Sequence, residues 1–259
     1  MFSTLKNIYE YREMIFSLVR KDLRGRYKGS VLGFCWTFIN PLLQLLVYNV
    51  VFSVILKNNI DKYYLFLFVA LVPWIFFSSA LMGGATSIIS QQEMVKKIYF
   101  PREVLPISYV TSSFVNMLFS FAVIFIILIL SRVGFNVKAL LYLPFIMIVE
   151  YILALGIGML TAAIDVYFRD MEHILSIITM AWMYLTPIMY TVELVPERYM
   201  PLFNLNPMTP IIIAYRDILY YKQVPELGTL LHALTLGVCV LIFGLVIFRK
   251  LQKNFAEEL

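Results

Sequence analysis

A group of side chains that could take part in chemistry lies between positions 165 and 173: Asp165, Arg169, Asp170, Glu172 and His173. Two carboxylates at this spacing could hold a metal ion in an enzyme that transfers polyprenyl-linked sugars. The simpler interpretation is structural, with Arg169 and Asp170 forming an ion pair that fixes the junction between two helices. We favour the ion pair and keep the membrane-embedded transferase as the alternative.

The sequence offers no other catalytic apparatus. It contains no Gly-x-x-x-x-Gly-Lys-Ser/Thr phosphate loop, which excludes nucleotide hydrolysis by that route. The two histidines and the two cysteines, Cys35 and Cys239, show no zinc-binding spacing, and we expect both thiols to be free and buried. We therefore predict a non-enzymatic chain that has neither a metal ion nor a cofactor of its own.

Glu150 is the one carboxylate that lies well inside a long apolar stretch. An ionised side chain at the centre of a bilayer costs at least ~2.5 kcal/mol, so this residue should face protein or water. A lone acid could couple transport to protons, but the sequence has no second member of a proton relay at that depth. We predict a protonated or hydrogen-bonded structural role.

The elements that must position these residues are membrane-spanning helices. The chain is 61% hydrophobic and 14% charged with a mean hydropathy of +0.82, which excludes an ordinary water-soluble fold. Backbone in lipid must satisfy its own hydrogen bonds, so apolar windows of about 20 residues predict helices. We predict an all-α membrane domain over residues 29–259 with six spans, at about 31–56, 63–89, 104–131, 139–164, 174–192 and 227–248.

The distribution of charge predicts the orientation of these spans. The net charge is +5. With the N-terminus inside, the inner segments hold twice as many Lys and Arg residues as the outer loops. Both termini are therefore predicted to be cytoplasmic, and the basic excess indicates topology rather than binding to nucleic acid.

Two cytoplasmic segments have the pattern of docking helices. Within residues 1–28, Leu5, Ile8, Tyr11, Ile15 and Leu18 recur at steps of three and four, which predicts an amphipathic helix in the membrane interface. It could be a simple membrane anchor or could lie above a partner protein. The loop at 91–102 mixes charges with large apolar groups, which indicates a short helix that docks into a groove of another protein.

The region between the last two predicted spans is apolar, but prolines at Pro201, Pro207 and Pro210 exclude a continuous helix. We predict a broken pair of short, partly re-entrant helices on the outer side, next to a translocation path. Aromatic rings in the spans could stack on sugars along that path, although core packing is the default for any one of them. The candidates are Tyr48, Phe52, Trp74, Phe77, Trp182, Tyr184 and Tyr190.

Five stretches in order along this frame resemble the membrane-spanning permeases of ABC-type polysaccharide exporters. That family moves O-antigen, teichoic acid and capsular polymers across the bacterial inner membrane. The stretches are LRGRYKGSVLGFCWTFINPL at 23–42, MVKKIYFPREVLP at 94–106, YFRD at 167–170, TPIMY at 186–190 and NPMTPIIIAYRD at 206–217. The resemblance covers residues 19–251.

The resemblance implies a homodimer in the inner membrane, bound to two copies of a separate ATPase subunit that holds ATP and Mg²⁺. The substrate it implies is a polysaccharide on a polyprenyl diphosphate lipid, and we expect Arg24, Arg26 and Lys28 to contact its head group. The N-terminal helix resembles the family's interface helix. Residues implied to couple to the ATPase are Glu93, Met94, Val95, Lys96, Lys97, Ile98, Tyr99, Phe100 and Pro101; those implied to form the outer gate are Pro207, Pro210, Tyr215, Arg216 and Asp217.

A permease for drugs or peptides would share the six-span plan. The FPREVLP stretch at 100–106 and the abundant aromatic residues favour a glycan. The sequence leaves open which polymer is moved, whether transport is processive or alternating, and which helices meet in the dimer.

Overall fold

The computed structural model describes residues 8–26, 28–57 and 60–259, and these ranges contain helices and connecting turns but no strand. The α-helices are α1 (Arg12–Gly25), α2 (Trp36–Asn49), α3 (Tyr63–Thr86), α4 (Gln92–Lys97), α5 (Val104–Leu130), α6 (Val137–Leu140), α7 (Leu143–Asp165), α8 (Met171–Leu185), α9 (Met200–Leu205), α10 (Met208–Arg216), α11 (Leu227–Leu251) and α12 (Phe255–Glu258). A π-helical turn extends α2 over Val50–Ile55, and a second one follows α10 over Asp217–Tyr221. The all-α prediction is confirmed.

Within the described ranges, five helical stretches are long and apolar enough to cross a membrane. They are Gly33–Ile55, Tyr63–Thr86, Val104–Leu130, Val137–Asp165 and Leu227–Asn254. Each matches a predicted span; the ends differ by at most three residues, except that the last stretch continues six residues further, to Asn254. These stretches make the chain a multi-pass membrane protein.

The remaining predicted span, 174–192, corresponds to the shorter helix α8. This helix ends at Leu185 because Thr186 precedes Pro187 and is extended, with φ −102° and ψ 137°. A residue before proline is disfavoured in the helical region, since the proline ring crowds its backbone. The chain from Thr186 to Tyr190 is therefore irregular, and the number of six spans stays a prediction.

Helix α3 is the centre of the bundle. It is apolar on every side, and 78% of its most apolar 18-residue segment is buried inside the bundle. The helices that cover it are α2, α5, α7 and α8. A helix that is hydrophobic all round is stable only when other helices or lipid surround it. The first stretch, Gly33–Ile55, differs sharply because only 11% of its window is buried. It lies at the edge of the bundle and presents apolar side chains outward.

Helices α7 and α11 form the most extensive helix pair, and glycines allow it. A Cβ atom added to Gly244 would lie 2.1 Å from the carbonyl oxygen of Gly156, far inside van der Waals contact. Gly84 and Gly158 bring α3 and α7 together in the same way, with 2.9 Å from an added Cβ to the facing Cα. Small residues let helix backbones approach closely in lipid, where hydrophobic burial cannot drive association.

The N-terminal helix α1 lies against α5, at the end of the bundle where the first and the last described residues also lie. Ile8, Tyr11, Ile15 and Leu18 pack on the apolar cluster there, so the apolar side of this segment faces the bundle. Leu5 and Tyr27 lie outside the described residues. The expectation of buried cysteines is wrong: Cys35 and Cys239 are free but exposed, because both point away from the core of this single chain.

Basic residues occupy the left-handed backbone region at several turns. Lys57, Arg132 and Lys222 each follow a helical segment, and their φ angles are 49°, 50° and 57°. Lys62, with φ 44°, immediately precedes α3. Helices commonly end on a left-handed residue, but that residue is usually glycine, because a side chain is strained there.

Candidate functional site

Polar side chains gather at both ends of the bundle. We call the end that holds α1, α4 and α12 the proximal end, and the end that holds α9 and α10 the distal end. The distal cluster consists of Tyr63, Phe66, Glu150, Asn206, Tyr215, Arg216 and the loop at 186–190. The proximal cluster consists of α4, the segment 98–103, Tyr167 and the chain from Phe248 onward.

Arg216 is the central residue of the distal cluster. It ends α10 and is only 3% exposed. Its Nη1 donates to the carbonyl of Tyr190 at 3.2 Å, its Nη2 donates to the carbonyl of Ile188 at 2.6 Å, and its guanidinium lies 3.5 Å from the ring centre of Phe66. No described carboxylate lies within 4.0 Å of it. Carbonyl dipoles and a ring face therefore stabilise this buried cation.

The contacts of Arg216 fix the irregular loop after α8. The Tyr63 hydroxyl donates to the carbonyl of Met189 at 2.9 Å, between the two carbonyls that Arg216 binds. Three consecutive carbonyls thus receive side-chain donors from α3 and α10. A carbonyl outside a helix is costly in an apolar environment unless it is hydrogen-bonded, so these donors make the loop possible.

A second bond joins the distal cluster to a spanning helix. The Tyr215 hydroxyl donates to Glu150 Oε2 at 2.7 Å, and both side chains are completely buried. This confirms the prediction that Glu150 has a hydrogen-bonded partner. The bond connects α7 with α10, in which Pro210 is also buried, and Asp217 is buried at the start of the π-helical turn that follows. Burial raises the pKa of the Asp217 carboxyl, and a 2.7 Å bond from Gln223 acts in the opposite direction.

Asn206 is a residue that the sequence analysis did not single out. Its Oδ1 accepts from Trp182 Nε1 at 2.8 Å and from the backbone N–H of Met208 at 3.0 Å. Its Nδ2 donates to Thr186 Oγ1 at 3.0 Å. The amide therefore caps α10 and holds it to the end of α8, while Pro207 separates α9 from α10. The available signal was an Asn-Pro pair before a helix, which is typical of a turn.

The predicted aromatic path does not form one continuous surface. Trp74, Phe77 and Trp182 pack together, with 5.5 Å and 5.1 Å between successive ring centres, and Phe77 is fully buried. Tyr184 is exposed, and its carbonyl accepts a bond from the Tyr190 hydroxyl. The other two members lie half-buried on the first span, where they contact the core: Tyr48 and Phe52.

The residues predicted to couple to a partner lie at the proximal end. Val95 and Phe100 are buried and hold the segment to the bundle, whereas Ile98 is largely exposed and Tyr99 is 97% exposed. Helix α4 ends at Lys97. The segment Ile98–Pro101 was expected to be helical, and it is not. The proline disfavours helical backbone before it. The remaining members lie on α4, where Glu93 and Lys97 pair at 2.5 Å in solvent, Lys96 is exposed and Met94 is half-buried.

The C-terminal segment packs against this part of the chain, a contact that the sequence analysis did not predict. Arg102 Nη1 donates to the carbonyl of Gln252, and the Tyr167 hydroxyl donates to the carbonyl of Leu251 at 2.8 Å. Gln252 Nε2 donates to Glu103 Oε1 at 3.2 Å. The last carbonyls of a helix have no partner within it, and these side chains supply partners for α11. The buried ring of Phe255 packs beside them.

The basic residues predicted to contact a lipid head group do not converge. Arg26 faces α5, where Nε donates to Asp22 Oδ2 at 2.8 Å and Nη2 donates to Ser113 Oγ at 2.9 Å. Arg24 lines a different cleft with Phe34 and Phe119, because residues two apart on a helix face different sides. Lys28 is exposed beyond the end of α1.

The polar group at 165–173 is only partly brought together. Asp165, Arg169 and Glu172 line a cavity of about 260 Å³, whereas Asp170 and His173 are exposed. The predicted ion pair is not formed, since no bond within 4.0 Å joins Arg169 to Asp170 or to another described acid. Among residues 8–26, 28–57 and 60–259, no set of three His, Cys, Asp or Glu side chains could hold a metal ion.

Comparison with known proteins gives a consistent result. A family model described as ABC-2 type transporter matches residues 13–220. The chain is 32% identical to the O-antigen export system permease protein RfbA of Myxococcus xanthus, and the match covers 100% of both chains. It is 32% identical to a protein of the same name from Klebsiella pneumoniae over 95% of each chain. It is 23% identical to the polysialic acid transport protein KpsM of Escherichia coli over 92% of this chain and 93% of that protein.

Proposed function

We propose, because this chain belongs to the ABC-2 type transporter family, that it is the permease subunit of an ATP-driven polysaccharide exporter in the bacterial inner membrane. The observation that supports this most directly is the full-length match to a permease named for O-antigen export. The substrate is a polysaccharide on a polyprenyl diphosphate lipid. The chain transports and has no catalytic residues of its own.

The energy for transport comes from a separate ATPase subunit that holds ATP and Mg²⁺. This proposal is supported by the sequence, which has no phosphate loop, and by the uncovered Ile98 and Tyr99 beside α4. An apolar tip of this kind, attached by the buried Val95 and Phe100, fits a groove in another protein. Closure of the ATPase pair on its nucleotide would then push on α4 and on the interface helix α1.

The working unit is a homodimer of this chain with two ATPase subunits. The first span supports a dimer, since only 11% of its apolar window is buried by the single chain. Each protomer contributes six spans with α8 as the fifth, and both termini are cytoplasmic. Residues 1–28 form the interface region and residues 29–259 the membrane domain, while α9 and α10 form a re-entrant outer gate.

The glycan passes beside α3 and α8. A groove of about 550 Å³ there is lined by Trp74, Met183 and hydroxyl side chains at Ser78, Ser79, Ser176 and Thr179. Hydroxyl groups can exchange hydrogen bonds with a sugar, and a tryptophan ring can cover the apolar face of the sugar. Arg26 lies at the proximal end of this groove, where the diphosphate head group would arrive.

Deletion of the gene in its host tests the proposal. We expect polysaccharide to disappear from the cell surface while its lipid-linked form accumulates inside, and we expect a plasmid copy to restore the surface polymer. Unchanged surface polysaccharide would contradict the proposal. Loss of the lipid-linked polymer itself would favour the transferase instead, and purified protein with Asp170→Ala would then lose a metal-dependent transfer reaction.

A further inference from the structure

A cleft of about 490 Å³ opens between α1 and the proximal ends of α3 and α5. Its charged lining consists of Lys21, Asp22 and Arg26. Its remaining polar lining is mostly hydroxyl: Thr86, Ser87, Ser90, Ser108 and Tyr109. A volume of this size is typical of small-molecule binding sites. The lining contains more cations and hydroxyl donors than carboxylates, which suits the binding of an anion.

Arg26 is held in this cleft by an unusual combination of partners. Nε donates to Asp22 Oδ2 at 2.8 Å, and Nη2 donates to Ser112 and Ser113 at 3.1 Å and 2.9 Å. The Ser112 hydroxyl donates to the same oxygen of Asp22. One carboxylate oxygen thus receives a guanidinium and a hydroxyl. Two donors of these types on a single oxygen are what a phosphate oxygen receives in a binding site.

The position of the guanidinium is fixed independently of Asp22. It lies 5.3 Å from the ring centre of Tyr109. That ring rests against Gly83, where an added Cβ would lie 1.8 Å from a ring carbon. The guanidinium therefore has the Tyr109 ring and Ser113 as partners that need no carboxylate.

Asp22, in contrast, is partly open to solvent at the cleft. The side chains of Arg26 and Asp22 are 20% and 29% exposed, and their pair spans one helical turn. Solvent reaches both side chains and partly screens the pair, so another anion can compete for the guanidinium. The arrangement differs from that of Arg216, which donates to the backbone carbonyls of Ile188 and Tyr190. Those acceptors belong to a loop and cannot leave unless the loop refolds.

We propose that Asp22 occupies the anion position of Arg26 and is displaced when a phosphate or diphosphate group enters the cleft. The incoming group takes the Arg26 and Ser112 donors, and Lys21 at the same cleft adds a second cation. A divalent anion keeps negative charge beside the Arg26 guanidinium, whereas a neutral sugar would leave that cation without a counter-charge. Displacement also breaks the Asp22–Ser112 bond between α1 and α5, so occupancy loosens the interface helix. The lipid as a source of this group rests on the proposed function.

Titration of the purified full-length chain with inorganic diphosphate tests the exchange. The protein is held in phosphatidylcholine nanodiscs, and binding is followed by calorimetry. Asp22→Asn removes the competing charge, so we expect about tenfold tighter binding, the value of one charge-assisted hydrogen bond. Glu13→Gln is the matched control, because it removes one negative charge from α1 at a side chain that is 82% exposed, and we expect less than about a twofold change.

Arg26→Gln should abolish binding in either background. Asp22→Ala provides a second removal of the carboxylate if Asp22→Asn does not fold. Equal affinities for wild type and both Asp22 variants would overturn the proposal, as would diphosphate binding that survives Arg26→Gln. Tighter binding by Glu13→Gln to the same extent would also overturn it, since the effect would then be general electrostatics.

Nanodiscs that contain polyprenyl diphosphate distinguish the sources of the group. Competition between this lipid and inorganic diphosphate assigns the cleft to a lipid head group. Binding of inorganic diphosphate without such competition assigns it to a soluble phosphate compound, and the exchange at Asp22 stands in both cases. Gene deletion tests the proposed function separately, because surface polysaccharide is measured without reference to Asp22.

Discussion

The two ends of the bundle satisfy their polar groups in different ways. In the distal cluster, Glu150, Tyr215 and Arg216 are almost entirely buried and bind other groups of the same chain. In the proximal cluster, Tyr99 is uncovered and the Glu93–Lys97 pair lies in solvent. The charged residues of the distal cluster are therefore enclosed by the chain itself, whereas those of the proximal cluster remain open to solvent.

Two arginines show the same contrast at the level of one side chain. Arg216 binds backbone carbonyls, which remain part of the loop whatever enters the protein. Arg26 binds a carboxylate and hydroxyls at the edge of an open cleft. A guanidinium suits both roles because it keeps its charge and presents donors in a fixed plane. Its partners, rather than its own chemistry, decide whether it is structural or exchangeable.

Arg216→Met gives the sharpest test of this comparison. It leaves two buried carbonyls without donors, so we expect the free energy of unfolding to fall by about 3 kcal/mol in denaturant titrations in micelles. Arg198→Met is the control, because that side chain is exposed and stacks only on the adjacent Tyr199. We expect it to change stability by less than about 0.5 kcal/mol. Similar losses for both variants would contradict the assigned role of Arg216.

Glu150→Ala should have the next largest effect. It leaves the buried Tyr215 hydroxyl without an acceptor, and we expect a loss of about 2 kcal/mol in the same assay. Glu150→Gln keeps an acceptor and should lose less. A double-mutant cycle with Tyr215→Phe should give a coupling free energy of about 1 kcal/mol. Additive effects would show that the two side chains do not act together.

Gln252→Ala addresses the proximal cluster. It removes the bond to Glu103 at a partly exposed position, so the expected loss of stability is about 1 kcal/mol. Lys253→Ala, next along the chain and exposed, serves as the control. The comparison between the ends fails if Gln252→Ala destabilises the protein more than Arg216→Met does.

Tyr99→Ala should leave stability within about 0.5 kcal/mol of wild type, because the side chain touches almost nothing in the single chain. Its expected effect is on assembly, with affinity for the ATPase subunit at least about tenfold lower in pull-down titrations. Tyr142→Ala is the control, since it removes an exposed tyrosine at the distal end. Undiminished assembly would show that Tyr99 does not contribute to ATPase binding.

The sequence predicted features that depend on local composition. Hydropathy located the five long apolar helices, and the mixed pattern at 91–102 located the exposed tip. The irregular end of α8 was missed although Pro187 signals it, because a window average ignores backbone geometry. The separation of Arg24 from Arg26 was also readable, since positions two apart diverge on a helix.

Contacts between distant parts of the chain were beyond the sequence. Burial of Glu150 required a partner, but nothing local identifies Tyr215, which is 65 residues away. The bond from Gln252 to Glu103 spans 149 residues and forms only because α11 returns to the proximal end. Such pairs are set by helix packing, which a single sequence does not specify.

The left-handed basic residues Lys57, Lys62, Arg132 and Lys222 bear on how the chain is inserted. All four belong to turns that the charge distribution assigns to the outer side, where positive residues weaken the inside bias. Glycine at these positions would relieve the backbone strain. It would also increase the difference in positive charge between the inner and outer segments. A long cationic side chain at a helix end instead reaches from the apolar edge to the lipid phosphates. We therefore expect these turns to anchor the helix ends at the membrane surface, at the expense of a clear insertion signal.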